Sequence, residues 1–211
     1  MPNASVISVN VSSVERRTYG GEPVATGIFK RPVAGPVAVR GINLAGDDQA
    51  DRANHGGPYR ACYAYAREDY AWWEARLQRA LPPGLFGENL TTAALDVSGA
   101  VIGERWRIGT AEFVVTCPRV PCYKLALAMD EPRFVREFAR AQRPGAYLAI
   151  VAEGTVAAGD EARVVSRPGH GLTIATMFRI YLFEPDRLAE MLVPDLPPPW
   201  RDWVHERLGD A

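Results

Sequence analysis

Apolar and polar residues alternate along most of the first two thirds of the chain, the period-two signature of strands with one buried face. Ile7, Val9 and Val11 alternate with Ser8 and Asn10. Apolar pieces over 25–29 and 37–39 follow a turn at Tyr19-Gly20-Gly21-Glu22-Pro23 and are broken by Pro32, Gly35 and Pro36. Residues 104–108 and 111–116 flank Gly109-Thr110 and predict a hairpin, with Trp106, Ile108, Phe113 and Val115 carrying the alternation. Segments 147–152 and 162–165 complete the strands. Two stretches keep helical spacing instead: Tyr70, Trp73 and Leu77, then Phe134, Val135, Phe138 and Ala141 after Pro132. Beyond His170 the texture changes to short helical runs over 174–182, 185–192 and 199–208, parted by Pro194 and Pro197-Pro198-Pro199. Each is too short to hold its shape alone. The pattern predicts a mainly β fold with some helix, a barrel or sandwich over residues 1–168, and a three-helix cluster over 169–211 docked on it.

Composition narrows the function without naming it. The 211 residues are 47% hydrophobic and 23% charged, ordinary values for a globular chain. A formal net charge of -1 argues against an overall electrostatic grip on nucleic acid or an anionic membrane, though not against a local basic pocket. No apolar run approaches the roughly 18 residues of a membrane-spanning helix. Residues 1–10 lack the basic start and apolar core of a signal peptide. Three cysteines do not make a disulfide framework, so the expectation is a cytoplasmic protein with free thiols.

Local features offer chemistry. Gly46-Asp47-Asp48-Gln49-Ala50-Asp51 runs towards His55-Gly56-Gly57-Pro58, and glycines on both sides let the backbone approach a ligand. Phe86-Gly87-Glu88-Asn89-Leu90 places a carboxylate and an amide between a glycine and a strand start, able to orient a ligand or to cap a loop. Pro144-Gly145-Ala146-Tyr147 turns into an apolar strand, where the tyrosine lines a pocket or simply packs. Cys117-Pro118-Arg119-Val120-Pro121-Cys122-Tyr123-Lys124 is the most informative. Its prolines predict a stiff loop presenting Arg119, Cys122 and Lys124. Positive neighbours favour a thiolate, the form that attacks electrophiles or binds soft metals; the bland alternative is a small buried hydrophobe. A zinc site from Cys117 and Cys122 with His55 or His170 lacks a second Cys/His pair. Cys62 is expected in the core, and His170 and His205 at the surface. Walker, nucleophile-elbow and Rossmann signatures are absent.

Taken in order, these segments resemble the MOSC domain, named for the C-terminal region of molybdenum-cofactor sulfurases. Gly27-Ile28-Phe29-Lys30 and Gly35-Pro36-Val37 join the Gly46, His55, Phe86, Pro118 and Gly145 segments in that resemblance. It covers nearly the whole chain, and the tail looks like the C-terminal three-alpha domain of the stand-alone bacterial YiiM-type members. Departures are Gly41-Ile42-Asn43-Leu44-Ala45-Gly46, looser than usual before the Gly-Asp pair, Ala146 where a bulkier residue is common, and Ala66 in place of a proline.

The resemblance implies a β-barrel with flanking helices that holds a molybdenum cofactor (molybdenum–molybdopterin) in its mouth, with Cys122 as the metal ligand. It also implies reduction of small N-hydroxylated substrates such as hydroxylaminopurine, with electrons from a separate flavin or iron–sulfur protein. The terminal phosphate of the pterin calls for a basic pocket, for which Lys30, Arg31, Arg60, Arg119 and Lys124 are candidates. Backbone N–H groups of Gly56 and Gly57, with His55, Asn89 and Tyr147, complete the expected cofactor contacts. His55, Glu88 and Asp51 are candidates to deliver protons beside Cys122. Two other classes compete: a non-catalytic cofactor or sulfur carrier using Cys122, and a cysteine-dependent hydrolase pairing Cys122 with His55. The tail could serve as a homodimer contact or as a lid.

Overall fold

In a computed structural model the chain is described over residues 3–51 and 56–209. Strands β1 (Ser5–Val11), β2 (Glu15–Tyr19), β3 (Glu22–Thr26), β4 (Arg31–Pro32), β5 (Val37–Arg40) and β6 (Asn43–Leu44) precede a 3-10 turn at Pro58–Arg60. After β7 (Cys62–Ala66), helix α1 (Arg67–Leu77) leads to β8 (Leu90–Ala93), β9 (Arg105–Ile108) and β10 (Ala111–Pro118). Helices α2 (Tyr123–Met129) and α3 (Phe134–Ala141) lie between β10 and the last strands, β11 (Ala146–Ala152), β12 (Gly154–Val156) and β13 (Ala162–Ser166). The tail is α4 (Ile174–Phe183), 3-10 turns over Pro185–Met191, and α5 (Pro198–Leu208).

Eight strands form one sheet in the order β13-β9-β10-β11-β7-β8-β1-β4, and β7–β8, joined through α1, is its parallel pair. The sheet rolls until β1 meets the start of β13. Ser5 bridges Glu161, the Val6 N–H donates to the Asp160 carbonyl at 2.9 Å, and the Ala162 N–H donates to the Ala4 carbonyl at 2.8 Å. This seam is one bridge with flanking bonds rather than a ladder, so the expected barrel takes the form of a rolled sheet. The β9–β10 hairpin forms as its alternation predicts, with Trp106 opposite Phe113 and both fully buried. Ile7 departs from expectation and is 45% exposed. The β1–β8 register shifts between Val6 and Ser8, and that irregularity reverses the alternation so that Val6 and Val9 point inward.

Strand β7 separates two apolar clusters by simple alternation. Cys62, Ala64 and Ala66 face the interior of the roll with Trp106 and Phe113. Tyr63 and Tyr65 face an aromatic cluster with Tyr70, Trp73, Phe86, Phe134 and Phe138, beneath α1 and α3. There the Trp73 and Phe138 rings are parallel to within 2°, and the Trp73 indole N–H donates to the Tyr65 hydroxyl at 2.8 Å.

The tail shares the interior of the roll. Leu172, Ile174, Met177, Ile180, Met191 and Val204 belong to the same apolar cluster as Trp106. The Ile102 N–H donates to the Leu172 carbonyl and the Ile174 N–H to the Ala100 carbonyl, both at 2.9 Å. His170, expected at the surface, is half-buried and clasps this junction. Its Nδ1 accepts from the Leu172 N–H at 3.1 Å, which leaves the proton on Nε2, 3.0 Å from the Ile102 carbonyl.

Candidate functional site

The Pro118–Lys124 stretch is only partly the stiff loop that its prolines predict. Irregular backbone is confined to Arg119–Cys122, Cys122 is extended (φ -131°, ψ 174°), and α2 begins at Tyr123. That helix is driven by Leu125 and Met129, one turn apart and both buried, which places Lys124 in its first turn. Cys122 is half-buried and opens into a cleft that it lines together with Lys30, Arg60, Arg119 and Tyr147. Cys62 and Cys117 are fully buried, and burial pushes the Cys62 thiol far above its ordinary range.

Arg119 lines the same cleft as Cys122 and is only 6% exposed. Its guanidinium donates to the Phe86 carbonyl and sits 5.2 Å over the Tyr63 ring. Among the described residues no carboxylate pairs with it. Burial works against its charge, but Tyr63, Tyr147 and Cys122 more than offset that penalty and keep the pKa above its ordinary value. Burial also raises the Tyr63 and Tyr147 hydroxyls, so both stay protonated at neutral pH. The Tyr63 hydroxyl donates to the Pro144 carbonyl at 2.7 Å. Tyr147 pairs in register with Cys117 on one side and Tyr63 on the other, its ring 5.2 Å from Tyr63 and 6.0 Å from the Arg60 guanidinium.

The facing wall is built on Asp47, whose side chain is fully buried. It pairs with Lys30 and accepts from the Ser12 N–H and the Asn89 side-chain amide, each at 2.9 Å. Asn89 also donates to the Asn10 carbonyl at 3.2 Å and accepts from the Tyr63 N–H at 3.1 Å. It therefore ties β1, β7 and the Asp47 turn together. Gly27 lets two backbones touch, because a Cβ there would lie 2.3 Å from the Asp48 carbonyl oxygen. The close approach brings Asp48, Gln49 and Asp51 to the rim, where the Gln49 amide donates to the Arg60 carbonyl at 3.0 Å.

The cleft thus gathers Lys30, Asp51, Arg60, Asn89, Arg119, Cys122, Lys124 and Tyr147 from the expected set. Arg31 is not with them: it lies exposed on the edge strand β4. Glu88 is fully buried behind the wall rather than on it. Its Oε1 accepts from the Tyr70 and Thr91 hydroxyls at 2.6 Å and the Gly84 N–H at 2.7 Å, while Oε2 has no partner among the described residues. Burial raises its pKa despite those bonds. Gly56 and Gly57 do not line the cleft either. Gly57, at φ 83°, opens the 3-10 turn and accepts from the Arg60 N–H at 3.1 Å, so it positions Arg60. His55 lies outside the described residues. Thr26, Ile28, Asp48, Gln49 and Tyr63 also line the cleft. Ile28, Asp48 and Gln49 lie in segments that the sequence singles out, though without a role of their own, whereas Thr26 and Tyr63 were given none; for Tyr63 the signal is its place opposite Cys62 and Ala64 in the β7 alternation.

Among the described residues no three His, Cys, Asp or Glu side chains converge as a metal cluster, and Cys117 faces the core, so a Cys117–Cys122 zinc pair does not form. No helix among them is long and apolar enough to cross a membrane.

Residues 51–163, which carry Arg119, Cys122 and most of the sheet, match the model of the MOSC domain. The chain belongs to the MOSC family. This MOSC chain is 37% identical to YflK of Bacillus subtilis over 176 residues, 83% of its own length and 80% of that protein. It is 29% identical over 171 residues to a protein of Gibberella moniliformis named Reductase, a match spanning 77% of this chain and 29% of the fungal protein. The crystal structure of YiiM from Geobacillus stearothermophilus superposes with a TM-score of 0.79 at 31% identity, covering 97% of this chain and 99% of that one. The likeness therefore extends through the helical tail.

Proposed function

We propose that this MOSC chain holds a molybdenum–pterin cofactor in the cleft, with Cys122 as the protein's ligand to the metal, and reduces small N-hydroxylated compounds to amines. The observation that carries the reading is a half-buried thiol set against Arg119, a buried cation with no carboxylate partner among the described residues. Such a cation is costly unless an anion meets it. A thiolate and an anionic ligand both answer that need, and thiolates suit soft metal centres. A pterin-chelated metal brings its other ligands with it, which suits a single thiol at this position. Arg60, Arg119 and Lys124 line the cleft and offer positive charge for a terminal phosphate, and Lys30 pairs with Asp47 beside them. A relative bearing the name Reductase supports a redox role.

When bound, the cofactor supplies the two-electron reduction R–NH–OH + 2 e⁻ + 2 H⁺ → R–NH₂ + H₂O, with electrons from a separate flavin or iron–sulfur protein. The chain's own residues bind and orient. Cys122 fixes the reacting centre at the start of α2, and Arg119 holds negative charge there. Tyr63 and Tyr147, both protonated, form a wall that carries no competing anion. Asp51 is the expected proton carrier that the fold brings to the cleft, and Glu88 supports the Gly84–Asn89 turn from behind.

The test is the molybdenum and pterin content of protein purified anaerobically from a cofactor-producing host, beside Cys122→Ala. Equimolar molybdenum, lost in the variant while circular dichroism is unchanged, is expected. A wild-type chain that takes up no molybdenum even after reconstitution with free cofactor overturns the reading.

A further inference from the structure

Glu88 closes a ring of backbone around Phe86. Its Oε1 accepts from the Gly84 N–H at 2.7 Å, and inside that ring the Gly87 N–H donates to the Gly84 carbonyl at 2.8 Å. Two hydroxyls anchor the same Oε1 to the body of the protein, Tyr70 from α1 and Thr91 from β8, each at 2.6 Å. Thr91 is set as a donor there, because its oxygen accepts from the Asn10 amide at 3.1 Å, and Asn10 accepts from the Ser8 hydroxyl at 2.7 Å.

Packing wedges the turn from both sides. A Cβ on Gly84 would lie 2.6 Å from the Lys30 carbonyl oxygen, and one on Gly87 would lie 2.8 Å from the Ile28 side chain and 3.5 Å from the Arg119 guanidinium. The Phe86 ring is held 4.6 Å from the Tyr65 ring and 4.9 Å from the Tyr70 ring. Held in this way, the turn offers the Phe86 carbonyl to Arg119, which donates to it.

The clamp works in its neutral form. Glu88 is fully buried, and its Oε2 has no partner among the described residues, whereas a carboxylate needs donors on both oxygens. None of its hydrogen bonds comes from a cation. The ionisable groups around it are Tyr70 from α1 and Tyr63 and Tyr65 from β7, all kept protonated by burial, with Arg119 beyond the Phe86 peptide. A neutral clamp leaves the charge of Arg119 uncancelled for the cleft that it lines with Cys122.

We propose that Glu88 is the positioning residue for Arg119: by clamping the Gly84–Asn89 turn it fixes the Phe86 carbonyl that aims the guanidinium at negative charge beside Cys122. Glu88 therefore acts on the cleft through Arg119 and not as a proton donor within it. The inference rests on the cofactor reading above for the identity of the anion that Arg119 meets, and on the turn alone for the aim.

The test reads the electrostatic potential at Cys122 in the metal-free full-length chain, as the ratio of its alkylation rate constants with iodoacetate and with iodoacetamide. Both reagents meet the same thiolate, so the ratio cancels the thiolate fraction and keeps the pull on the anionic reagent. The wild-type ratio is expected to exceed that of free cysteine at the same ionic strength. Glu88→Met, which keeps the volume and removes the acceptor, should lower the ratio about fivefold, the effect of losing a unit charge about 4 Å away in water. Glu88→Gln, which keeps the acceptor without charge, should restore it. Arg119→Met should lower the ratio at least as far, and adding Glu88→Met to it should change nothing more. Tyr70→Phe removes one anchor, should move the ratio the same way by less, and carries the test if Glu88→Met does not fold. A wild-type ratio no higher than that of free cysteine overturns the proposal. So does a ratio that ignores these Glu88 and Tyr70 variants, or a Glu88→Met effect that persists in full without Arg119. The expected pattern in a chain that takes up no molybdenum supports the positioning role and removes the cofactor reading instead.

Discussion

Asp47 is where a single substitution should cost most for its size. Its side chain is fully buried and that of Lys30 is 7% exposed, so the pair is shielded from solvent. Asp47→Ala leaves the Lys30 ammonium without its counter-charge and frees the Ser12 N–H and the Asn89 amide donor. Removing one partner of a buried pair costs about 3–5 kcal/mol, because the remaining charge stays desolvated. In a chain of this size that loss lowers Tm by about 6–20 °C. The assay is urea unfolding of Asp47→Ala, Lys30→Met and the double variant, completed as a cycle. Lys30→Met in the Asp47→Ala background should recover much of the loss, because the stranded ammonium is gone. A loss below about 1 kcal/mol for Asp47→Ala, the range of an exposed ion pair, would refute the argument. So would a double variant no more stable than Asp47→Ala.

Two further outcomes follow from the buried groups around the cleft. Burial raises the folded-state pKa of Glu88 above its unfolded value of about 4.3, so the folded chain holds that proton more tightly. Its contribution to stability is full below the unfolded pKa and is lost as pH rises through the folded one. Glu88→Gln keeps the acceptor for Tyr70, Thr91 and Gly84 but does not titrate. Its stability relative to wild type, from denaturant melts, should therefore rise as the pH is raised above the unfolded carboxyl range, and a flat difference contradicts the burial effect. Native metal-free protein should react with a thiol reagent at Cys122 alone, with Cys62 and Cys117 labelled only on unfolding; native labelling that persists in Cys122→Ala would contradict their burial.

The fold was legible where local pattern and tertiary packing agree. Trp106, Ile108, Phe113 and Val115 alternate because both strands of the hairpin run straight, and their period survives intact. Ile7 was misleading because a register shift in β1 cannot be seen without its partner β8. Helix α2 was hidden behind two prolines that end just before it, although Leu125 and Met129 already had helical spacing. The chemistry around Cys122 was legible because Arg119 and Lys124 are its neighbours in sequence. Arg31 misled for the same reason: adjacency to Lys30 says nothing about which of two successive side chains turns inward. Tyr63 and Gln49 reach the cleft only through strand pairing and the Gly27–Asp48 contact, which no local window contains.

The shared interior of roll and tail bears on which pieces of this chain remain soluble. A fragment cut to residues 51–163 would lose β1, leaving an unpaired edge on β8. It would also lose α4 and α5, and with them the cover over the apolar residues that pack against Ile174, Met177 and Val204. An open edge beside an uncovered apolar wall is a template for self-association. In this chain the segment that marks the family in sequence is therefore expected to aggregate when expressed without its flanks, because β1 and the tail complete its edge and its core.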